Sequence, residues 1–496
     1  MVFLDSTVVT VALPKIGQEL PTLLFGVLEG QSYVYTGYLL TLSALLILAG
    51  AANDHYGRKR MFQLGISGFA AMSALCGLAP NMEALVVFRV LQGAAGALLV
   101  PSSLSLLTAC FDDEVQRGRA FGYWSSASAA TTILGPIVGG FLVDSVSWRV
   151  VFLINVPVAL AALYATREIV ESRDERSSGR FDWPGSALAA LAVGGLAFGT
   201  IYGQQREWRD PLAFVALAAG VLATAALPLW MTRARHPLVP PSLFASRNFT
   251  VTNISTFLIY GALYVILYFL TLFLQGVLGY SAAAAGAAAL PATLLLVLFS
   301  SRAGAFAGRF GPRMFMVAGP LVMAVGIFSL SLVPPDTAAW RLGQGDPLPP
   351  ADYFTRILPG LLVFGLGLTM MVTPLVTALM ASVPVANSGL ASAINNAISR
   401  IGPQLVGAVL FVAITSVFYA GLETRVPGLD ASSAAVRQQV SPMNPPRDAD
   451  PALAAAAREA STDAFHLAML VAAGLLVAGA AVNLGIRNAP SRPGGA

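Results

Sequence analysis

Charge is scarce in this 496-residue chain: only 11% of residues are charged against 56% apolar, too little polar surface to cover a soluble globule. Cysteine is scarcer still. Cys76 and Cys110 both lie in apolar runs, which excludes a disulfide framework or a cysteine metal cluster and leads us to expect two buried thiols. There is no Gly-x-x-x-x-Gly-Lys-Ser/Thr loop and no His/Cys ligand cluster, so neither ATP-driven work nor a metal or other cofactor is expected. No polar stretch resembles a catalytic domain, and the chain is not expected to be an enzyme. A net charge of +4 could point to nucleic acid, but the basic residues are scattered among short loops instead of forming one face, which argues against that partner.

What the chain has in abundance is apolar blocks of membrane-crossing length. A hydrocarbon core of about 30 Å takes roughly 20 residues of helix, and hydropathy marks fourteen such blocks, from Met1–Pro14 to Phe465–Ile486. The expected fold class is therefore an all-α polytopic membrane protein with the lipid bilayer as its solvent. An even number of crossings puts both termini on one side. Arg58, Lys59, Arg60, Arg117, Arg119 and Arg167 crowd one set of short loops, and Lys15 and Arg149 lie in the other, so the positive-inside rule makes the termini cytoplasmic. The start lacks a basic leader and runs straight into Val8 to Pro14; that run is short for a span, so part of the first helix is expected upstream. Two longer loops, Pro334 to Asp352 and residues 421–463, are expected to face outward.

Loops also reveal an internal repeat. The stretch Gly304-Ala-Phe-Ala-Gly-Arg-Phe-Gly-Pro-Arg-Met314 echoes Gly50-Ala-Ala-Asn-Asp-His-Tyr-Gly-Arg-Lys-Arg-Met61, and Arg356-Ile-Leu-Pro-Gly360 echoes Arg89-Val-Leu-Gln-Gly93. We therefore expect an N-terminal six-helix bundle over 1–170, two linking transmembrane helices over 171–247, and a C-terminal six-helix bundle over 248–496 that includes the loop 421–463.

Five motifs in order resemble the major facilitator superfamily and, within it, the fourteen-helix drug:proton antiporter family. Leu4-Asp-Ser-Thr-Val-Val-Thr-Val-Ala-Leu-Pro14 is similar to that family's first-helix motif, and Gly50 to Arg60 to the superfamily loop. Arg89 to Gly93 resembles the fourth-helix motif, Gly135-Pro136-Ile-Val-Gly139-Gly140 the antiporter motif of the fifth, and Trp148 to Pro157 the opening of the sixth. The sequence departs from the pattern at Ala52, His55 and Thr10. The resemblance implies a major-facilitator-type two-bundle fold with two additional central helices, a binding site at the midplane, and no cofactor beyond a proton gradient.

Asp5 is an ionisable group in an apolar segment, where a carboxylate must be paired or protonated. A carboxyl that exists in two protonation states and faces two compartments in turn is what a proton carrier requires; the resemblance gives Asp5 that coupling role. Arg89 is a cation deep in the fourth span and must find acceptors, Asp5 or a substrate carboxyl among them. In the loop, Gly50 and Gly57 permit a tight turn and close helix approach. There Asp54 can accept from helix N-termini or basic groups, and Arg58, Lys59 and Arg60 hold the loop at the surface, which suits a latch. Gly135, Pro136, Gly139 and Gly140 remove side chains and a backbone donor, so the fifth helix can bend and pack closely. Tyr264 and Tyr268, in an aromatic stretch, and Asn396 and Arg400, spaced by four, are candidate cavity residues; the rings could equally face lipid, and the polar stripe could equally serve interhelical hydrogen bonds.

These readings converge on a monomeric, proton-coupled exporter of hydrophobic or amphipathic small molecules in a bacterial plasma membrane, working by alternating access. A dedicated carrier of one metabolite is the alternative, and a non-transporting scaffold or sensor a distant one.

Overall fold

Lipid offers no hydrogen-bond partners, so a chain that crosses it must satisfy its backbone internally. In the computed structural model every regular element among the described residues is helical, apart from a single Ser441–Asn444 bridge. The structure describes residues 1–487 except 24, 25, 112, 173–180, 207, 343–346, 432, 434, 435, 437–439 and 446–449; of 28, 29, 132, 133, 136, 137, 144, 204, 205 and 408 it describes the backbone but not the side chain.

The helices are α1 (Val2–Glu19), α2 (Val27–Tyr56), α3 (Arg58–Gly77), α4 (Met82–Cys110), α5 (Glu114–Ser145), α6 (Trp148–Leu153), α7 (Asn155–Ala165), α8 (Trp183–Gln205) and α9 (Pro211–Arg233). They continue with α10 (Ser242–Ala245), α11 (Arg247–Leu272), α12 (Ala282–Phe310), α13 (Pro312–Leu330), α14 (Leu358–Ala381), α15 (Ser388–Arg425) and α16 (Pro451–Asn483). Among the described residues eleven helical segments are long and apolar enough to cross a membrane. Three more long helices fall where spans were expected but are more polar: α1 carries Asp5, Lys15 and Glu19, α3 opens on Arg58, Lys59 and Arg60, and α5 opens on Glu114, Arg117 and Arg119.

Contacts divide the chain into two compact units, one of residues 1–253, 304–309 and 376–401, the other of 254–303, 310–375 and 402–496. In the first, α2 packs on α4 and α3, and α1 on α5. The pair α8 and α9 closes through glycine: a Cβ on Gly195 would lie 2.9 Å from the Gly220 Cα, and one on Gly199 2.9 Å from the Ala213 carbonyl. α8 then lies against α2, so the expected linking pair groups with this unit. In the second unit α13 packs on α16, where Asn483 donates to the Met316 carbonyl at 2.7 Å. α13 meets α14 through Gly326, whose Cβ would lie 2.5 Å from the Gly360 carbonyl.

Two details differ from the sequence reading. Residues expected in the loop 421–463 extend α15 to Arg425 and start α16 at Pro451: the Ala-rich run 453–457 is a strong helix former, and Arg425 ties the two extensions by bonding Glu459 at 3.1 Å and Asp463 at 2.7 Å. The sixth span runs as one helical stretch from Trp148 to Glu168, with Ile154 in helical dihedrals (φ −59°, ψ −26°). Cys110, expected to be buried, ends α4 and is exposed, while Cys76 is buried.

Candidate functional site

The first unit encloses a charge pair with no exposed side-chain surface. Asp5 comes from α1 and Arg89 from α4, and Arg89 Nη1 donates to Asp5 Oδ2 at 2.5 Å. Three residues on, and so on the same helical face, Gln92 donates through Nε2 to Asp5 Oδ1 at 3.0 Å and accepts from Arg89 Nη1 at 2.8 Å. Arg89 Nε donates to the Val34 carbonyl at 3.0 Å, and the guanidinium lies 4.1 Å from the centroid of the Tyr38 ring. The fourth side comes from the sixth span. Ile154 keeps helical dihedrals there, and Pro157, which has no N–H to give the turn before it, lies two residues past Asn155. Asn155 Nδ2 donates to Asp5 Oδ1 at 3.2 Å and to Ser73 Oγ of α3 at 3.0 Å, and Ser73 Oγ donates to the Phe152 carbonyl at 2.8 Å.

A buried carboxylate is thus held by one cation and two amides. The pair is neutral as a whole, the condition under which apolar surroundings tolerate it. Arg89 Nη2 and Asn155 Oδ1 are buried and have no hydrogen-bond partner among the described residues, so the cluster keeps one donor and one acceptor in reserve. Chemically it can hold Asp5 ionised, and the Asn155 amide, turned over, would bring an acceptor to a protonated Asp5.

The second cluster is the loop between α2 and α3. Asp54 accepts from the first amides of α15, Gly389 at 3.1 Å and Leu390 at 2.8 Å, as a carboxylate does at the positive end of a helix. Buried Arg58 bonds the same carboxylate at 3.3 Å and donates to the Val385 carbonyl. Gly50 lets the backbones meet, since a Cβ there would lie 2.5 Å from the Gly389 carbonyl. Gly57 turns the chain at φ 111°, a region that favours glycine, with the Glu171 carboxylate 2.8 Å from where its Cβ would be. Glu171 accepts from the Lys59 amide at 3.0 Å and the Arg60 amide at 3.1 Å. The echo of this loop turns at Gly311, φ 84°, before Pro312 opens α13.

The fifth-helix glycine motif, Gly135 to Gly140, is a seam between α5 and α1. A Cβ on Gly135 would overlap the Thr7 side chain, and one on Gly139 would lie 2.8 Å from Val8; at Gly140 the nearest atom, on Val11, is 3.9 Å away. The side chain of Pro136 lies outside the described residues. Tyr264 and Tyr268 stack, centroids 5.6 Å apart and planes 8° from parallel. Tyr268 is 42% exposed, while Tyr264 packs near Gly407. Asn396 turns its amide back to the Ser392 carbonyl at 2.9 Å; Arg400, half-buried, lies one turn further on α15. The repeat counterpart of Arg89 is different: Arg356 is 38% exposed and pairs with Asp336 and Asp352. A cavity of about 240 Å³ in the first unit, lined by Phe3, Phe62, Ile66, Trp124, Ser128 and Thr131 among others, is smaller than the roughly 300–1,000 Å³ that drug-sized ligands occupy.

The model of the Major Facilitator Superfamily matches residues 1–408. The chain belongs to that superfamily of transporters. It is 36% identical over 417 residues to the tetracenomycin C resistance and export protein of Streptomyces glaucescens, covering 84% of this chain and 74% of that one. It is 34% identical to the methylenomycin A resistance protein of Bacillus subtilis, over 85% of this chain and 87% of the relative. Against the multidrug resistance protein Stp of Mycobacterium tuberculosis the identity is 31%, over 86% of this chain and 76% of the other. Among solved structures, the superfamily proton:xylose symporter XylE aligns with a TM-score of 0.55 at 16% identity over 97% of this chain and 91% of that one. The human organic anion transporter MFSD10 gives 0.55 at 15% over 96% of each chain. At that identity the likeness is one of fold.

In this superfamily member, sequence reasoning singled out Asp5, Arg89 and the loop but assigned no role to Gln92, Asn155, Ser73, Tyr38 or Glu171. The signals were there for two of them: Gln92 follows Arg89 at a spacing of three, and Asn155 is an amide two residues before a proline in an apolar span. Glu171 sits in a charged segment where nothing in the sequence distinguishes it.

Proposed function

We propose that this superfamily transporter is a fourteen-helix drug:proton antiporter. It exports hydrophobic or amphipathic small molecules across a bacterial plasma membrane, acts as a monomer, and keeps both termini in the cytoplasm. The observation that carries the reading is the buried Asp5–Arg89 pair clasped by Gln92 and Asn155, in a chain whose relatives are named for resistance and export. Asp5 takes up and releases the coupling proton. Neutralising it removes the charge that balances Arg89, and the cluster must rearrange, because an unpaired buried cation is costly. Asp54 is the latch: its bonds to the first turn of α15 and to Arg58 hold one state, and alternating access breaks and remakes them. Tyr264, Tyr268, Asn396 and Arg400 are proposed to line the path of the substrate.

A second reading has its own support. Several relatives are named for single compounds, tetracenomycin C, methylenomycin A and puromycin, which favours a dedicated transporter of one metabolite. A toxicity panel in cells expressing the chain separates the two. Resistance to several unrelated hydrophobic or amphipathic compounds, lost when a protonophore collapses the gradient, is the expected result. Resistance to one compound selects the dedicated transporter, and resistance that survives the protonophore removes the proton from the account.

A further inference from the structure

The sixth span joins the two clusters. At one end of α7, Asn155 bonds Asp5 on α1 and Ser73 on α3. Past the other end lies a 3-10 turn, Thr166–Glu168, where Gln63 of α3 donates to Thr166 Oγ1 at 2.9 Å. Helices α3 and α7 are therefore fastened together at both ends, and they pack along each other between. At the loop end the fastening is reciprocal. Lys59 Nζ, at the start of α3, donates to the Ile169 and Arg167 carbonyls at 2.7 and 3.2 Å, where the chain leaves α7. Glu171, just beyond, accepts from the Lys59 and Arg60 amides that open α3. Each charge sits at the helix end whose dipole favours it. The Arg58 amide donates to the Ser172 carbonyl at 3.0 Å, so the same strap also holds the residue that bonds Asp54.

We propose that α3 and α7 form a strut, with Asn155 and Glu171 as its positioning residues, through which the protonation state of Asp5 sets the hold of the Gly50–Arg60 loop. The 20 residues of α3 give the strut a length of about 30 Å. Asn155 is chemically fitted to read the carboxyl in both states. Its Nδ2 donates to the ionised oxygen, and its Oδ1, buried and unused, can accept from a protonated one if the amide turns over. Turning it over removes the donor that Ser73 now receives, and Ser73 can then hold the amide oxygen only by giving up its bond to the Phe152 carbonyl, so the bonding between α3 and the sixth span changes with the state of Asp5. Because α3 and α7 are fastened at both ends, that change is passed along rigid helices to Lys59 and Glu171 and is not absorbed locally. A discrete element biased from both ends is what a physical account of coupling between distant sites requires. This inference rests on the reading of Asp5 as the coupling carboxyl.

Hydrogen–deuterium exchange on the purified full chain, followed in the peptide covering Gly57 to Phe62, tests it. Glu171→Gln removes the charge from the cap and should speed exchange of the Lys59 and Arg60 amides about tenfold, the change expected from losing roughly 1.4 kcal/mol of charge-assisted bonding. Asp5→Asn and Asn155→Leu, at the far end of the strut, should each speed the same amides severalfold while leaving the α8–α9 seam unchanged, and Asn155→Gln should restore part of the protection. Acceleration by Glu171→Gln with no response to Asp5→Asn or Asn155→Leu overturns the strut; so does uniform acceleration across the whole unit, and so does a Glu171→Gln protein indistinguishable from wild type. Where Asn155→Leu does not fold, Ser73→Ala serves in its place, with the same expected and contrary results. The two proposals fail separately. Export that ignores Asp5 while the loop amides respond to it removes the proposed function and leaves the strut, and the converse leaves the function without the strut.

Discussion

At Asp5 the oxygens of one carboxylate are shared by an arginine and an amide from α4 and a second amide from α7. Removing either charge leaves the other buried and unpaired, which costs about 3–5 kcal/mol for a fully buried pair. We therefore expect Asp5→Asn and Arg89→Gln each to lower the stability of the purified protein by an amount of that order. The double variant should be more stable than the sum of the two losses, and additivity in a denaturant or thermal titration would contradict the pairing. Arg89→Lys should not rescue, because an ammonium cannot reach the Val34 carbonyl, Asp5 and Gln92 with the same planar fork. Asp5 and Arg89 were legible in the sequence because a lone charge in an apolar run demands a partner. Asn155 and Gln92 were not read as its partners, because neutral amides are common enough in membrane helices to be spent on ordinary packing.

At the scale of the element, the glycine motif of α5 predicts unequal glycines. Gly135→Ala and Gly139→Val should each destabilise by about 1–3 kcal/mol through overpacking against Thr7 and Val8. Gly140→Ala should be close to neutral, since its Cβ would meet nothing nearer than Val11 at 3.9 Å. Thermal unfolding midpoints of the three variants decide it; equal losses would mean the seam is not where the α1–α5 contact lies. Gly57→Ala is expected to cost about 1–3 kcal/mol through its left-handed backbone. The periodic apolar blocks made most helices legible. The start of α16 was not, because a polar and Pro-rich neighbourhood surrounds an Ala run that folds as helix.

At the scale of the whole molecule, the latch and the candidate cavity residues are separate. Among the described residues Asp54 bonds the α15 amides and Arg58, and no hydrogen bond or ion pair joins it to a candidate cavity residue. Asp54→Asn weakens charge-assisted bonds worth roughly 1.5–3 kcal/mol, so turnover should change about tenfold or more while substrate affinity stays within a factor of about two. A large loss of affinity alone would contradict that division. The superfamily was legible from five short motifs in order, and the match over residues 1–408 bears it out. Substrate identity was not legible, because it depends on how side chains from many helices enclose a volume.

The most direct test of the central claim is proton flux in proteoliposomes during export of an amphipathic dye, with wild type and Asp5→Asn compared at matched protein density. Coupled counterflow of dye and protons in wild type, and loss of gradient-driven export in Asp5→Asn, is the predicted result; undiminished proton-driven export by Asp5→Asn would contradict it.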